Sequence, residues 1–182
     1  MPPFVAAYPG PTGTSQQRMA LVHALAARNF VASNGGPFAA VVADPASGEI
    51  VSVGVNVVLP SQLSGSHAEI TVISLAQVAL GSWDLARVRP GLELVVNWRP
   101  CAMCFSAVLW SGVQRLVVSD DGPDLKRLTG FDEGPVVADW AEQLESRGIE
   151  VERDVLRNGA IATYTAYGRS KPVVYNARSG QS

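Results

Sequence analysis

The chain has 182 residues, of which 47% are hydrophobic and 16% charged, and a formal net charge of −2. That length supports one domain with a substantial core, and so mild a charge excludes a polyanion-binding surface, so no nucleic-acid partner is expected. No stretch reaches ~18 uninterrupted apolar residues, which argues against a membrane span, and Met1–Gln17 lacks the basic and apolar regions of a secretion signal, so a cytoplasmic protein is expected.

Residues 1–14 are rich in Pro and Gly and read as an irregular arm. A first helix follows, capped by Thr14 or Ser15, with Met19, Val22, Leu25, Ala26 and Phe30 along one face. Asn34-Gly35-Gly36-Pro37 breaks it. Phe38–Ala43 and Ile50–Val58 are apolar, β-rich runs joined by a turn over 44–48, which predicts a hairpin. Their almost continuous apolar character suits strands covered on both faces. Leu59–Ser66 reads as a polar loop leading into a second helix over 67–80, stopped by Gly81. Leu92–Asn97 is a third strand. Pro100 then opens a helix through about Trp110, closed by Gly112, because the missing N–H of a proline has no partner in a first turn anyway. Arg115–Ser119 is a fourth strand, 120–135 a long loop rich in Gly and Asp, and 137–147 a helix. Ile149–Val155 is a fifth strand and 160–168 a last helix, followed by a tail over 169–182. The alternation of strands and helices predicts an α/β layered fold, with one domain over 15–168.

The chemistry concentrates in two short motifs, His67-Ala68-Glu69 and Pro100-Cys101-Ala102-Met103-Cys104, which contain both cysteines and one of the two histidines. Two Cys at C-x-x-C spacing, without a disulfide framework, read as metal ligands or a redox pair. One His and two Cys make the three-ligand set of a catalytic Zn2+ whose fourth tetrahedral position stays open. Each motif is expected in the first turn of a helix, where the positive end favours thiolate. A closed structural site would need a fourth ligand, and the neighbours of His23, namely Ala20, Leu21, Val22 and Ala24, point to packing instead. Zinc lowers the pKa of its water toward ~7, and Glu69 stands where it can carry protons from that water to a ring nitrogen and a leaving amine. The order H-x-E then P-C-x-x-C is that of the zinc nucleobase deaminases, and it predicts hydrolytic exchange of an amino group for a carbonyl.

From about Met19 to Arg153 the chain resembles the cytidine deaminase-like superfamily, and within it the bacterial guanine deaminase branch. Gly35–Val41 is similar to the family's GGPFGAV segment, Ala107-Val108-Leu109-Trp110 to an A-x-x-W stretch, and Gly130-Phe131-Asp132-Glu133 to a GFDD loop. The resemblance implies a three-layer α/β/α sandwich with a five-stranded mixed sheet between helices, usually as a homodimer, acting on a small nucleobase-like molecule. It implies that Glu133 is a second acid/base beside Glu69, that Asn56 reads the base, and that Phe38, Ala68 and Phe131 contact substrate. It also implies that the C-terminal segment, here with Tyr167 and Tyr175, can swap between subunits and cap the neighbour's active site; the simpler reading is a loose tail. Read without the resemblance, Asn56 equally ends a strand, Phe38 belongs to an apolar run, and Glu133 sits in an acid-rich, solvated loop. Trp110 is expected to pack.

The family usually places Glu before the zinc-site Pro, whereas here the run is Asn97-Trp98-Arg99-Pro100. An Arg beside a helix N-terminus opposes the helix dipole. Either Arg99 points to solvent or pairs with an acid, or Arg99 and Trp98 contact the substrate, by a bidentate grip and by stacking respectively. The second alternative would move the substrate from guanine toward a triazine, an isocytosine-like pyrimidine, a pterin-like bicycle or a specialised-metabolite intermediate; a deaminase of cytosine or of a nucleoside is the runner-up among enzymes. A tRNA adenosine deaminase shares both motifs but should carry basic residues around the site, and a silent binding relative would not need an intact Glu69.

Overall fold

A computed structural model describes residues 2–3 and 12–178. Most of the arm predicted over 1–14, and residues 179–182 of the tail, lie outside the described residues. In chain order the first elements are α1 (Ser15–Val31), β1 (Ala39–Ala43), β2 (Ile50–Val55), α2 (Val58–Ser61), α3 (Ala68–Leu80) and α4 (Leu85–Val88). They are followed by β3 (Glu93–Val96), α5 (Ala102–Ser111), β4 (Arg115–Val118), α6 (Asp124–Thr129), α7 (Trp140–Glu145), β5 (Glu150–Glu152) and α8 (Arg157–Arg169).

The sheet has the order β2-β1-β3-β4-β5. β1 runs antiparallel to both β2 and β3, and β3, β4 and β5 are parallel to one another, so the sheet is mixed. Successive side chains of a strand point to opposite faces. Ala40, Val42, Leu94, Val96, Leu116 and Val118 therefore meet α3, α5 and α7 in one core cluster. Val41, Val95 and Val117 meet α1 in another, on the opposite face. α8 packs beside α1 on that second face, completing an α/β/α sandwich. Every residue of β1 is buried, as the continuous apolar run predicts for a strand covered on both faces.

α1 begins at Thr14, whose side chain accepts from the Gln17 N–H while the Gln17 side chain accepts from the Thr14 N–H, a reciprocal cap. Met19, Val22, Leu25 and Ala26 are buried on its inner face, and Phe30 lies edge-on to Tyr167. Beneath the helix, Arg18 and Glu93 form an ion pair that is almost wholly buried, and Arg115 joins Glu93 at 3.0 Å. This pair ties α1 to the start of β3.

Several elements differ from the sequence reading. The run Ile50–Val58 stops as a strand at Val55, because the Asn56 carbonyl accepts from the Asn29 side chain and the Val57 N–H turns to the Ser66 carbonyl. Val58–Ser61 is a helical turn rather than strand end and loop. The loop predicted over 120–135 holds α6, and its acids are paired rather than solvated: Asp120 with Arg157, Asp124 with Arg127 and Arg157, and Asp132 with Lys126. α8 starts at Arg157, ahead of the predicted 160. α4 was not foreseen; Asp84 caps it by accepting from the Ala86 N–H. Trp110 does not pack in the core and is 80% exposed. No helix among the described residues is long and apolar enough to cross a membrane.

Candidate active site

Two helix starts converge at the site. His67 is the N-cap of α3, reached through the 56–66 segment that leaves β2. Cys101 is the N-cap of α5, delivered by the chain leaving the end of β3, so Pro100 stands just outside the helix it was expected to open. The Cys101 sulfur accepts from the Cys104 N–H at 3.5 Å, which places both sulfurs on one side of the first turn. α3 reaches this position by lying close on β2: a Cβ at Gly54 would meet the Ala68 carbonyl and Val72 at 2.8 Å. That is why a residue without a side chain sits mid-strand there.

His67 Nδ1 is 3.6 Å from Cys101 Sγ and 3.6 Å from Cys104 Sγ. The three donor atoms lie within 4.8 Å of one another, and among the described residues they form the cluster suited to a metal. Bonds of about 2.3 Å to sulfur and about 2.05 Å to nitrogen, opened at a tetrahedral angle, separate S from N by about 3.6 Å, so the donors fit Zn2+. His23, the other histidine, is remote from this cluster, its Nε2 lying 2.9 Å from Ser119 Oγ, and among the described residues no fourth protein ligand joins the three.

The site's electrostatics follow from burial and mutual contact. The Cys101 thiol is lowered to about 4, first by the hydrogen bond from Cys104 and further by His67. The Cys104 thiol, which donates in that pair and is buried, is pushed up in turn. Burial pulls the His67 imidazole down, but its hydrogen bond with Cys101 and the charges of Glu69 and Cys101 outweigh this and raise it. Burial raises the Glu69 carboxyl to about 7 and the Glu133 carboxyl to about 8, each pushed further by the charge on Cys101. Two carboxyls that exchange protons near neutrality, beside a three-donor metal cluster, are equipped to move protons on a bound ring.

A cleft of about 160 Å3 opens onto this cluster, lined by His67, Glu69, Glu133, Asn56 and the rings of Phe38 and Phe131. Phe38 and Phe131 meet edge to face at 5.3 Å and form one wall. Asn56 is 1% exposed; its Oδ1 accepts from the Val58 N–H at 3.3 Å, while its Nδ2 makes no hydrogen bond within 3.5 Å and has the Tyr175 hydroxyl beside it. Tyr175, Asn176 and Ala177 of the tail lie over the same cleft. The Gly36 N–H donates to Tyr175 Oη at 3.1 Å, and Asn176 exchanges hydrogen bonds with the Asp132 backbone. Gly36 permits this approach, since a Cβ there would meet Tyr175 Oη at 2.6 Å. The tail thus closes over the cleft of its own chain.

Of the predicted substrate residues, Asn56, Phe38 and Phe131 are brought to the cleft and three are not. The Ala68 side chain is buried in the core at the start of α3. Trp98 is 2% exposed and edge-on to Tyr164 at 5.2 Å, beneath the cleft wall rather than on it. Arg99 lines a neighbouring cavity on the far side of Glu133. Ser64, Asp132, Asn176 and Ala177 line the cleft without having been singled out. Nothing in their residue types separates them from ordinary loop residues.

Among α/β/α sandwiches, an open His-Cys-Cys cluster with an H-x-E glutamate beside it distinguishes the zinc-dependent hydrolytic deaminases, and this chain is an enzyme of that class. It belongs to the family of cytidine and deoxycytidylate deaminases defined by their zinc-binding region, whose model matches residues 13–120. The guanine deaminase of Bacillus subtilis (strain 168) is 30% identical over 125 residues, covering 69% of this chain and 76% of the relative. The structure of NE0047 in complex with 2,6-diaminopurine aligns with a TM-score of 0.89 and 42% identity, covering 98% of this chain and 95% of that one. A guanine deaminase from Nitrosomonas europaea aligns with a TM-score of 0.87 and 40% identity, covering 93% of this chain and 94% of that one.

Proposed function

We propose that the enzyme hydrolyses the amino group of guanine or a closely related amino-purine, giving the oxo-purine and ammonia. The observation that carries this reading is the cleft: an unpartnered Asn56 amide donor, two carboxyls and two aromatic rings around a space of about 160 Å3. That space falls well below the ~300 Å3 at which drug-sized pockets begin, which favours a bare base over a nucleoside. The similarity to guanine deaminases along nearly the whole chain supports the same choice.

In this reading Asn56 donates Nδ2–H to an acceptor on the ring and fixes its orientation. Phe38 and Phe131 hold the ring faces away from water. Bound by His67, Cys101 and Cys104, Zn2+ would supply the Lewis acidity that lets a water give up its proton near neutral pH. Glu69 accepts that proton and returns it to the ring nitrogen beside the reacting carbon. Glu133, raised toward neutrality by burial, protonates the amine so that the carbon–nitrogen bond breaks and ammonia leaves, while Glu69 takes the proton that the new hydroxyl loses as it becomes the carbonyl. Tyr175, Asn176 and Ala177 exclude bulk water while the exchange proceeds. The working unit is one catalytic domain over 15–168 with the tail as its cover. The exposed Trp110 and Met103 on α5 favour a homodimer. The two free thiols favour a reducing, cytoplasmic setting.

Ammonia release from guanine, guanosine, cytosine, isocytosine and ammeline tests the assignment. Guanine should exceed guanosine and cytosine by at least ~10²-fold in kcat/KM, because a ribose overfills the cleft and a single ring leaves part of it empty. Preference for guanosine or a pyrimidine would overturn it.

A further inference from the structure

We propose that the second cavity, beside the cleft, binds a small oxoanion of the phosphate class, with Arg99 as its principal ligand. The cavity measures about 460 Å3 and is built where two parallel strands end. Trp98 and Arg99 leave the end of β3, and residues 122–127 leave the end of β4. Crevices at the carboxyl ends of parallel strands are where α/β sheets take their ligands. The third wall is the 132–134 loop, and its Asp132 and Glu133 line both this cavity and the cleft.

The charge in the wall is unevenly matched. Three cations face the cavity: Arg99, Lys126 and Arg127. Lys126 is held by Asp132 at 3.2 Å and Arg127 by Asp124 at 2.5 Å. Arg99 makes no ion pair with any described residue, and its Nε is buried without a hydrogen-bond partner. A buried donor on a permanent charge is costly to leave unmet. The guanidinium presents a planar fork of donors that matches two oxygens of a phosphate or carboxylate at once. Lys126 and Arg127, 53% and 65% exposed, stand nearer solvent and add attraction for an incoming anion without closing the way. An ammonium product or a neutral ring has no counterpart to this arrangement. The free ion and a phosphomonoester on a nucleotide share the oxoanion chemistry.

Isothermal titration of the zinc-loaded full chain with inorganic phosphate, and separately with guanosine 5′-monophosphate, tests the site. Phosphate should bind saturably with a Kd of about 1 mM or tighter. Arg99→Gln should weaken it at least tenfold, Lys126→Gln about threefold, and Arg87→Gln, remote from the cavity, not at all. Zinc content and melting temperature monitor the fold. Should Arg99→Gln fail to fold, Arg99→Lys keeps the charge and loses the fork, and should still weaken binding severalfold. Equal affinities would assign the site to free phosphate, and at least tenfold tighter nucleotide binding would assign it to a phosphomonoester. No phosphate binding up to ~10 mM, or binding unchanged in Arg99→Gln, would overturn the proposal. The second of these results would also identify phosphate held in the metal cleft. Glu69→Ala, which should abolish deamination, should leave phosphate binding intact, so the two proposals fail separately.

Discussion

Asn56 and Glu133 face the same cleft with different capacities. Asn56 is fixed on both sides: its carbonyl accepts from Asn29 Nδ2 at 2.7 Å and its N–H donates to the Phe38 carbonyl at 3.0 Å. Only the Nδ2 donor is left unmet. A donor that grips the ring throughout the reaction acts mainly on binding, so Asn56→Ala should raise KM for guanine about 10–100-fold with a smaller change in kcat, read from steady-state ammonia release. A loss confined to kcat would place Asn56 on the reacting atoms instead. At this scale the metal ligands were legible because residue type and short spacing specify them: one His, an x-x Cys pair and the Glu two residues on. Tyr175 was legible only as a tail residue with a ring. Its bond to Gly36 spans 139 residues, and that contact exists only once the chain has folded back. The Arg99 alternatives divided in a way composition could not show. The side chain neither pairs with an acid nor reaches the cleft, because Glu133 stands between.

The helix pair α3 and α5 sets the metal geometry, and β2 sets α3. Gly54 is the contact point, with a Cβ there meeting the Ala68 carbonyl and Val72 at 2.8 Å. Gly54→Ala should push the start of α3 away from the sheet and carry His67 with it. The expected result is a loss of about 1–3 kcal/mol in stability by thermal melting, together with weaker zinc retention during dialysis. Full zinc occupancy with a lowered melting temperature would show that the shift is absorbed elsewhere along the helix. The strongly patterned elements were readable: α1 from its apolar face and a Thr14 or Ser15 cap, α3 from Gly81, and β1 from its unbroken apolar run. The short helices α2, α4 and α6 were not. Each is six residues or fewer, too short for a periodic pattern; α4 rests on its Asp84 cap and α6 on the ion pairs of Asp124 with Arg127 and Arg157. β5 shrank to three residues because pairing with β4, not β propensity, limits its length.

For the whole molecule, stability and catalysis lie in separate places. His23 sits between α1 and α8, where a Cβ on Gly159 would strike its ring, and burial holds its imidazole down from 6.5 to about 4. Between those two values the unfolded chain binds a proton that the folded chain refuses, so stability falls as pH drops through this window and is unaffected above it. Urea midpoints should therefore drop between pH 7 and pH 5, and His23→Gln should remove part of that drop, on the order of 1–3 kcal/mol. An identical pH dependence in the variant would show that other groups control it. The α/β/α layering was legible because strands and helices alternate along the chain. That the tail can cap an active site was implied by the resemblance; which of its residues lie over the cleft, Tyr175, Asn176 and Ala177, was not legible, since this depends on a surface assembled from three distant segments. The central claim is that Glu69, beside the His67-Cys101-Cys104 cluster, moves the protons of a purine deamination. It is tested most directly by ammonia release from guanine, comparing the zinc-loaded enzyme with Glu69→Gln at equal zinc content. The account predicts turnover in the first and a loss of at least ~10²-fold in the second. Undiminished release by Glu69→Gln, or none by the zinc-loaded enzyme, would contradict it.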